Sequence, residues 1–208
     1  VLNQYSHINE NVSGECKFDA GGYFIINGSE KTVLGQERAA ENKVSCFNIS
    51  KNNTKWEWLA ELKSVPDNKC ISPKQIAMMI TSKSNEFGNS IYIQIPRLKN
   101  PIPLFVLFRA LNITSDKEIC EKIILDLDNK KHKKMLYGLQ GCIVDANTVV
   151  SSDDAIKYIT SQAMYTPMNM DKEAGQRKKT EFAMEILKND LFPHCKTKIQ
   201  KIYFLGYM

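Results

Sequence analysis

An α+β chain is predicted, with antiparallel strands in its first part and a mostly helical remainder. Three observations carry this. Asn27-Gly28 lies between two β-prone runs, and that dipeptide is the strongest two-residue hairpin signal. Three further short runs, at 56–62, 75–81 and 90–95, are joined by short polar turns and read as an antiparallel meander. Beyond Pro101 the spacing of apolar residues becomes helical.

Taken in order, residues 1–20 are polar and read as an irregular lead-in. Gly21 and Gly22 permit backbone angles closed to residues with a Cβ. Tyr23 to Ile26 then forms the first hairpin strand, and residues 31–34 return as the second. A β-prone run at 44–47 precedes a loop rich in Asn and Lys, at 48–55. In the next run Trp56, Trp58, Ala60 and Leu62 alternate with polar residues, which places them on one face of a strand. The two tryptophans read as sheet packing in preference to a platform for stacked bases.

The segment 102–111 follows a proline and is apolar on almost every side, so it is predicted as a central buried helix. Arg109 is its exception: it caps the C-terminus of that helix, where a cation suits the dipole, or it reaches a surface. Ser115 and Glu118 form a capping-box pattern opening a helix to about Leu127. A short helix around 135–139 follows, and 141–144 leads to a turn. Ser151 opens a helix through about Ala163. Residues 165–175 read as a loop, about 177–189 as a helix, and 198–208 as the opening turns of another.

With 43% hydrophobic and 25% charged residues in 208, the chain has the composition of a globular protein with a real core. No apolar run reaches the roughly 18–20 residues of a membrane helix, so no membrane partner is expected. The start, Val1-Leu2-Asn3-Gln4, has neither the charged nor the apolar region of a signal peptide. With no initiator Met, the chain is expected to be a piece of something longer. A net charge of +5 tolerates a polyanion nearby without identifying a nucleic-acid binder. Cys16, Cys46, Cys70, Cys120, Cys142 and Cys195 form no C-x-x-C pair; they are expected reduced, with several in the core.

Catalysis needs convergent groups, and the sequence offers none. There is no G-x-S-x-G elbow, no phosphate-cradling glycine loop and no H-E-x-x-H. Asp126 with Asp128, and Asp153 with Asp154, sit where helix ends and caps usually place acids. His7, His132 and His194 have no partner that spacing puts beside them. No catalytic residue and no metal ligand set is therefore assigned. The basic clusters at 130–134 and 177–179 either touch phosphates or form solvated faces.

Four blocks carry a resemblance. They are Gly-Gly-Tyr-Phe-Ile-Ile-Asn-Gly-Ser-Glu-Lys at 21–31 with Gln36-Glu37-Arg38; Ile-Pro-Leu-Phe-Val-Leu-Phe-Arg-Ala-Leu at 102–111; Leu-Phe-Pro-His at 191–194; and Phe-Leu-Gly-Tyr-Met at 204–208. In this order they resemble the second-largest, β-like subunit of multisubunit DNA-dependent RNA polymerases. The likeness is to the eukaryotic, archaeal and large-DNA-virus type. Asn112 stands where that family usually has Gly, and the Lys-, Asn- and Ile-rich composition points to an AT-rich genome, with a large DNA virus as one candidate source.

The resemblance implies that residues 1–43 form the edge of the protrusion domain and 44–208 the lobe, an α+β wall of the DNA cleft. It implies a non-catalytic piece of a nucleotidyltransferase that acts in transcription. Expected partners are the largest and other polymerase subunits, the DNA template and initiation factors. No cofactor is expected here; Mg2+ and a structural Zn2+ belong to the complete polymerase, and the second subunit's own catalytic-centre residues and zinc site lie beyond Met208. The setting is the nucleus for a cellular enzyme, or the virion or a cytoplasmic virus factory for a viral one. Lys31, Gln36 and Arg38 lie in the matched block, on the side the family turns toward nucleic acid. They either contact DNA, with Lys31 and Arg38 on phosphates and Gln36 donating a hydrogen bond, or brace the hairpin against the lobe. The competing functions are a stand-alone nucleic-acid-binding module and a small enzyme, the latter disfavoured by the missing constellation.

Overall fold

A computed structural model describes residues 16, 18–19, 21–49, 55–69, 71–127, 129–166, 168 and 171–208. Most of the lead-in, His7, Cys70, Asp128 and Pro167 fall outside them. The chain divides into two compact units, Val1–Ala39 and Ala40–Met208.

The first unit holds a two-stranded hairpin, β1 (Tyr23–Ile26) with β2 (Ser29–Thr32). Ile26 pairs with Ser29, so only Asn27 and Gly28 form the turn, with φ of 54° and 75°. Two positive φ values in a row match the right-handed twist of the flanking strands. This tight turn sets the return strand two residues earlier than the predicted 31–34.

The second unit is a five-stranded antiparallel meander covered by helices. Its strands are β3 (Ser45–Asn48), β4 (Trp56–Ser64), β5 (Lys74–Thr81), β6 (Ile91–Gln94) and β7 (Ile102–Pro103), paired in chain order. Register places Trp58, Ala60 and Leu62 opposite Ile80, Met78 and Ile76, and Met78 opposite Ile93. Leu62, Ile76 and Ile93 are essentially fully buried. The predicted single face for both tryptophans is corrected by a β-bulge. Trp56 pairs with Thr81 and Trp58 with Ile80, two residues against one, so the tryptophans point to opposite faces.

Helices follow: α1 (Leu104–Ala110), α2 (Asp116–Ile124), a 3-10 turn (Lys130–His132), α3 (Lys133–Gly138), α4 (Gln140–Asp145), α5 (Ser152–Gln162), α6 (Lys172–Asn189) and α7 (Lys198–Tyr207). Every residue of α1 is buried, as its all-round apolar sequence demands. It begins two residues later than predicted. Ile102 precedes Pro103, which disfavours helical angles, and both instead pair with β6.

Other differences have local causes. Ser115 is the N-cap residue of α2, but its side chain makes no capping bond. Leu125 adopts φ 67° and ends α2, short of Leu127. Residues 140–145 are helical because packing overrides weak propensity: Cys142 is buried, and its sulfur accepts a bond from the Ile91 N–H at 3.3 Å. Helix α6 starts at Lys172, with Gly175 inside it and buried. The opening turns expected at 198–208 are α7 itself, fixed by a capping box between Thr197 and Gln200.

Two glycines permit close crossings. A Cβ at Gly206 would clash with the Lys122 carbonyl oxygen, and one at Gly141 would lie 2.7 Å from that of Gly88. Gly206 thus sets how closely α7 crosses α2. Gly206→Ala is expected to destabilise the fold by about 1–3 kcal/mol in denaturant titration. Gly138→Ala, where a Cβ meets nothing within 4 Å, should instead be neutral or stabilising by up to ~1 kcal/mol.

Candidate nucleic-acid interface

The hairpin is organised from its first turn. The Asp19 carboxylate accepts the Gly21 N–H at 2.8 Å and the Tyr23 hydroxyl at 2.6 Å. The Tyr23 bond foremost, then the Gly21 bond, holds the Asp19 carboxyl below the usual carboxylate range. Gly21 and Gly22 accept φ of 64° and 86° there. Lys31 lies in β2, opposite Phe24, and is exposed. Gln36 and Arg38 lie in the irregular segment 33–40 and are also exposed. All three belong to the first compact unit. A turn with a fixed register therefore presents a lysine outward, a few residues ahead of an exposed amide and guanidinium.

The second unit spends its interior charges on itself. Arg109, 3% exposed, donates from Nη1 to the carbonyls of Ala146 at 2.6 Å and Val149 at 2.5 Å. Its Nη2 pairs with Asp116 at 2.5 Å. It therefore neither caps its own helix nor reaches a surface, correcting both predicted roles, and it joins α1 to the start of α2 and to the turn after α4. Asp190, 2% exposed, takes Lys74 at 3.1 Å and Arg97 at 2.5 Å. Arg97 also lies over the Phe182 ring at 4.8 Å. The Lys201 ammonium donates to the carbonyls of Leu187 and Lys188 at 3.0 and 2.6 Å, closing the C-terminal end of α6. Burial lowers the Lys201 pKa.

His194 does have a partner that spacing did not reveal. Its Nδ1 lies 2.7 Å from the Ser64 hydroxyl, which also accepts the His194 backbone N–H at 3.4 Å. Ser64 is fully buried on β4, so the pair is a packing contact between strand and C-terminal segment, not an accessible nucleophile and base. Phe204 stacks edge-on at 4.6 Å. The Leu-Phe-Pro-His and Phe-Leu-Gly-Tyr-Met blocks thus meet in one aromatic cluster.

The remaining candidates resolve locally. Asp154 accepts from Ser151 and Lys157. Trp56 lies edge-on to Tyr92 at 5.6 Å, while Trp58, 45% exposed, lines an apolar groove with Tyr203 and Tyr207. The two rings do not share a platform. Cys120 and Cys142 are buried free thiols, and burial pushes Cys142 up to about 11. Among the described residues, no group of three or more His, Cys, Asp or Glu side chains is placed to hold a metal ion, and no helix is long and apolar enough to cross a membrane.

An antiparallel meander covered by helices, with buried charges tying its elements together, defines an α+β domain. Residues 32–208 match the family described as RNA polymerase Rpb2, domain 2, and the chain belongs to that family. It is similar to DNA-directed RNA polymerase II subunit RPB2 of Schizosaccharomyces pombe, 34% identical over 200 residues covering 93% of this chain and 16% of that protein. DNA-directed RNA polymerase subunit 2 of Acanthamoeba polyphaga mimivirus is 30% identical over 224 residues, covering all of this chain and 18% of that protein. The archaeal subunit Rpo2 of Saccharolobus solfataricus is 27% identical over 200 residues, 93% of this chain and 16% of that protein. The chain thus spans about one sixth of the length of these relatives. Of the three predicted contact residues, Gln36 and Arg38 lie within the matched domain and Lys31 immediately before it.

Two outcomes follow from the interior. Arg109→Met should destabilise the fold by about 2–4 kcal/mol, read by denaturant titration, because charge-assisted bonds to two carbonyls are removed; the pair with Asp116 adds little, since that carboxylate is 40% exposed. Burial lowers the His194 pKa below its ordinary value of 6.5. The unfolded chain then binds the proton more readily. The stability His194 contributes is complete above pH ~6.5 and is lost as pH falls through the lowered value. His194→Asn should flatten this slope in stability measured against pH.

Proposed function

We propose that the chain is the lobe, with an adjoining edge of the protrusion, of the second-largest subunit of a DNA-directed RNA polymerase. It forms part of the wall of the DNA cleft during template-directed RNA synthesis and carries no active site of its own. The observation that carries this reading is the family match over residues 32–208. The internal use of Arg109, Asp190, Lys201 and the Ser64–His194 pair supports a structural part.

In this reading residues 1–43 belong to the protrusion and 44–208 to the lobe. Lys31 and Arg38 contact DNA phosphates and Gln36 donates to the backbone. The largest subunit, the other polymerase subunits, the DNA template and initiation factors are the partners. In the same reading Mg2+ and the structural Zn2+ belong to other parts of the complete enzyme, and no step is routed through them here. The enzyme works in the nucleus of a cell, or in a virion or cytoplasmic virus factory if its source is a virus.

The test uses the full-length subunit assembled into its polymerase. The Lys31→Ala, Arg38→Ala double variant should assemble normally. It should lower the slope of log K for DNA against log salt by about 2, roughly 0.9 for each phosphate no longer neutralised. An unchanged slope overturns the contacts. Failure to assemble with a largest subunit, together with tight DNA binding by the chain alone, would favour a stand-alone nucleic-acid-binding module.

A further inference from the structure

The stretch from Asn129 to Val144 contains no Asp or Glu, yet it carries Lys130, Lys131, His132, Lys133 and Lys134. It forms the 3-10 turn and α3, then most of α4. The backbone of the turn is fixed without the lysines. The Asn129 side chain accepts the Lys131 N–H at 3.0 Å, and the His132 Nδ1 lies 3.0 Å from the Asp126 carbonyl. Leu136 packs against the core and Leu139 is buried within it.

The four ammonium groups are left over. Lys130, Lys131, Lys133 and Lys134 are all exposed. None is in an ion pair among the described residues, whereas Lys117, Lys157 and Arg177 on other helices each pair with an acid three or four residues away. Their placement brings α3 no stability, because cations favour the other end of a helix. Packing, pairing and helix stability therefore do not account for them, which leaves a solvated face or a contact with an anion. Four like charges close together on a fixed backbone make a positive potential, screened by salt, that attracts a polyanion.

We propose that this lysine turn is a contact for the phosphate backbone of duplex DNA, separate from Lys31 and Arg38. The inference rests on the polymerase reading above. Lysines supply point charges on flexible stems and no planar fork for base edges, so the contact is independent of sequence. Two exposed neighbours, Met135 and Tyr137, flank the turn without interleaving among the lysines, as a stacking surface for single strands would require.

The test compares full-length subunits in assembled polymerase: wild type, a variant with the four lysines changed to Gln, and one with all four changed to Arg. Binding of a downstream DNA duplex of two unrelated sequences is measured from about 50 to 200 mM salt, the range over which phosphate neutralisation shows. The Gln variant should lower the slope of log K against log salt by roughly 0.9 per lysine on a phosphate, equally for both sequences. The Arg variant should restore it. A wild-type slope in the Gln variant overturns the proposal and leaves the polymerase reading standing. So does a defect confined to binding of a protein factor, which would assign the turn to an acidic protein segment. Absence of DNA binding by the wild-type assembly overturns the polymerase reading and this contact with it.

Discussion

The second unit depends on one buried cation. Helix α1 is surrounded on all sides, which suits six apolar residues and is costly for Arg109. A guanidinium removed from water must be repaid by hydrogen bonds and opposite charge. Arg109 meets most of this through its two terminal nitrogens, which draw three things to one point, the Ala146 and Val149 carbonyls and the Asp116 carboxylate, while its buried Nε has no partner among the described residues. Those acceptors fix the turn between α4 and α5 and the start of α2. The central helix can be all-apolar elsewhere because its single charge positions its neighbours.

Beside its surface ion pairs, charge in this unit has two further uses. Asp190, Lys201 and Arg109 are interior and each is answered by groups of the same unit. They join residues far apart in sequence, Arg97 to Asp190 across 93 positions. The exterior lysines of the 3-10 turn are in no ion pair among the described residues. A domain that packs with its interior charges and leaves these lysines outside suits the wall role proposed above.

What was legible in the sequence followed local rules. Asn27-Gly28, the alternation from 56 to 95, the all-round apolar run before Arg109 and the Ser151 cap each act within a few residues, and each element stands in the structure. The bulge that separates Trp56 from Trp58 depends on the pairing of β4 with β5, so simple alternation misplaced one ring. The helix at α4 depends on Gly141 approaching the backbone of Gly88, a contact that no local propensity encodes. The Ser64–His194 bond spans 130 positions and had no sequence signal. The Thr197-x-x-Gln200 box did have one, and it was readable. Lys31, Gln36 and Arg38 were singled out through resemblance alone; no local structural feature marks them.

The glycine crossings bear on the lysine turn as well. Helix α3 packs against α2 before it and α4 after it. Helix α2 is pinned where Gly206 lets α7 meet the Lys122 carbonyl, and α4 where Gly141 meets the 88–89 backbone. Both flanks of the turn are therefore tied to the core by crossings that admit no Cβ. A flexible loop of lysines would give up backbone freedom on meeting a phosphate chain, and that cost would subtract from affinity. A turn already held by Asn129, His132 and two close helix crossings gives up only lysine side-chain freedom. The same backbone crossings that shape the core thus make an exposed basic turn a pre-organised surface for a polyanion.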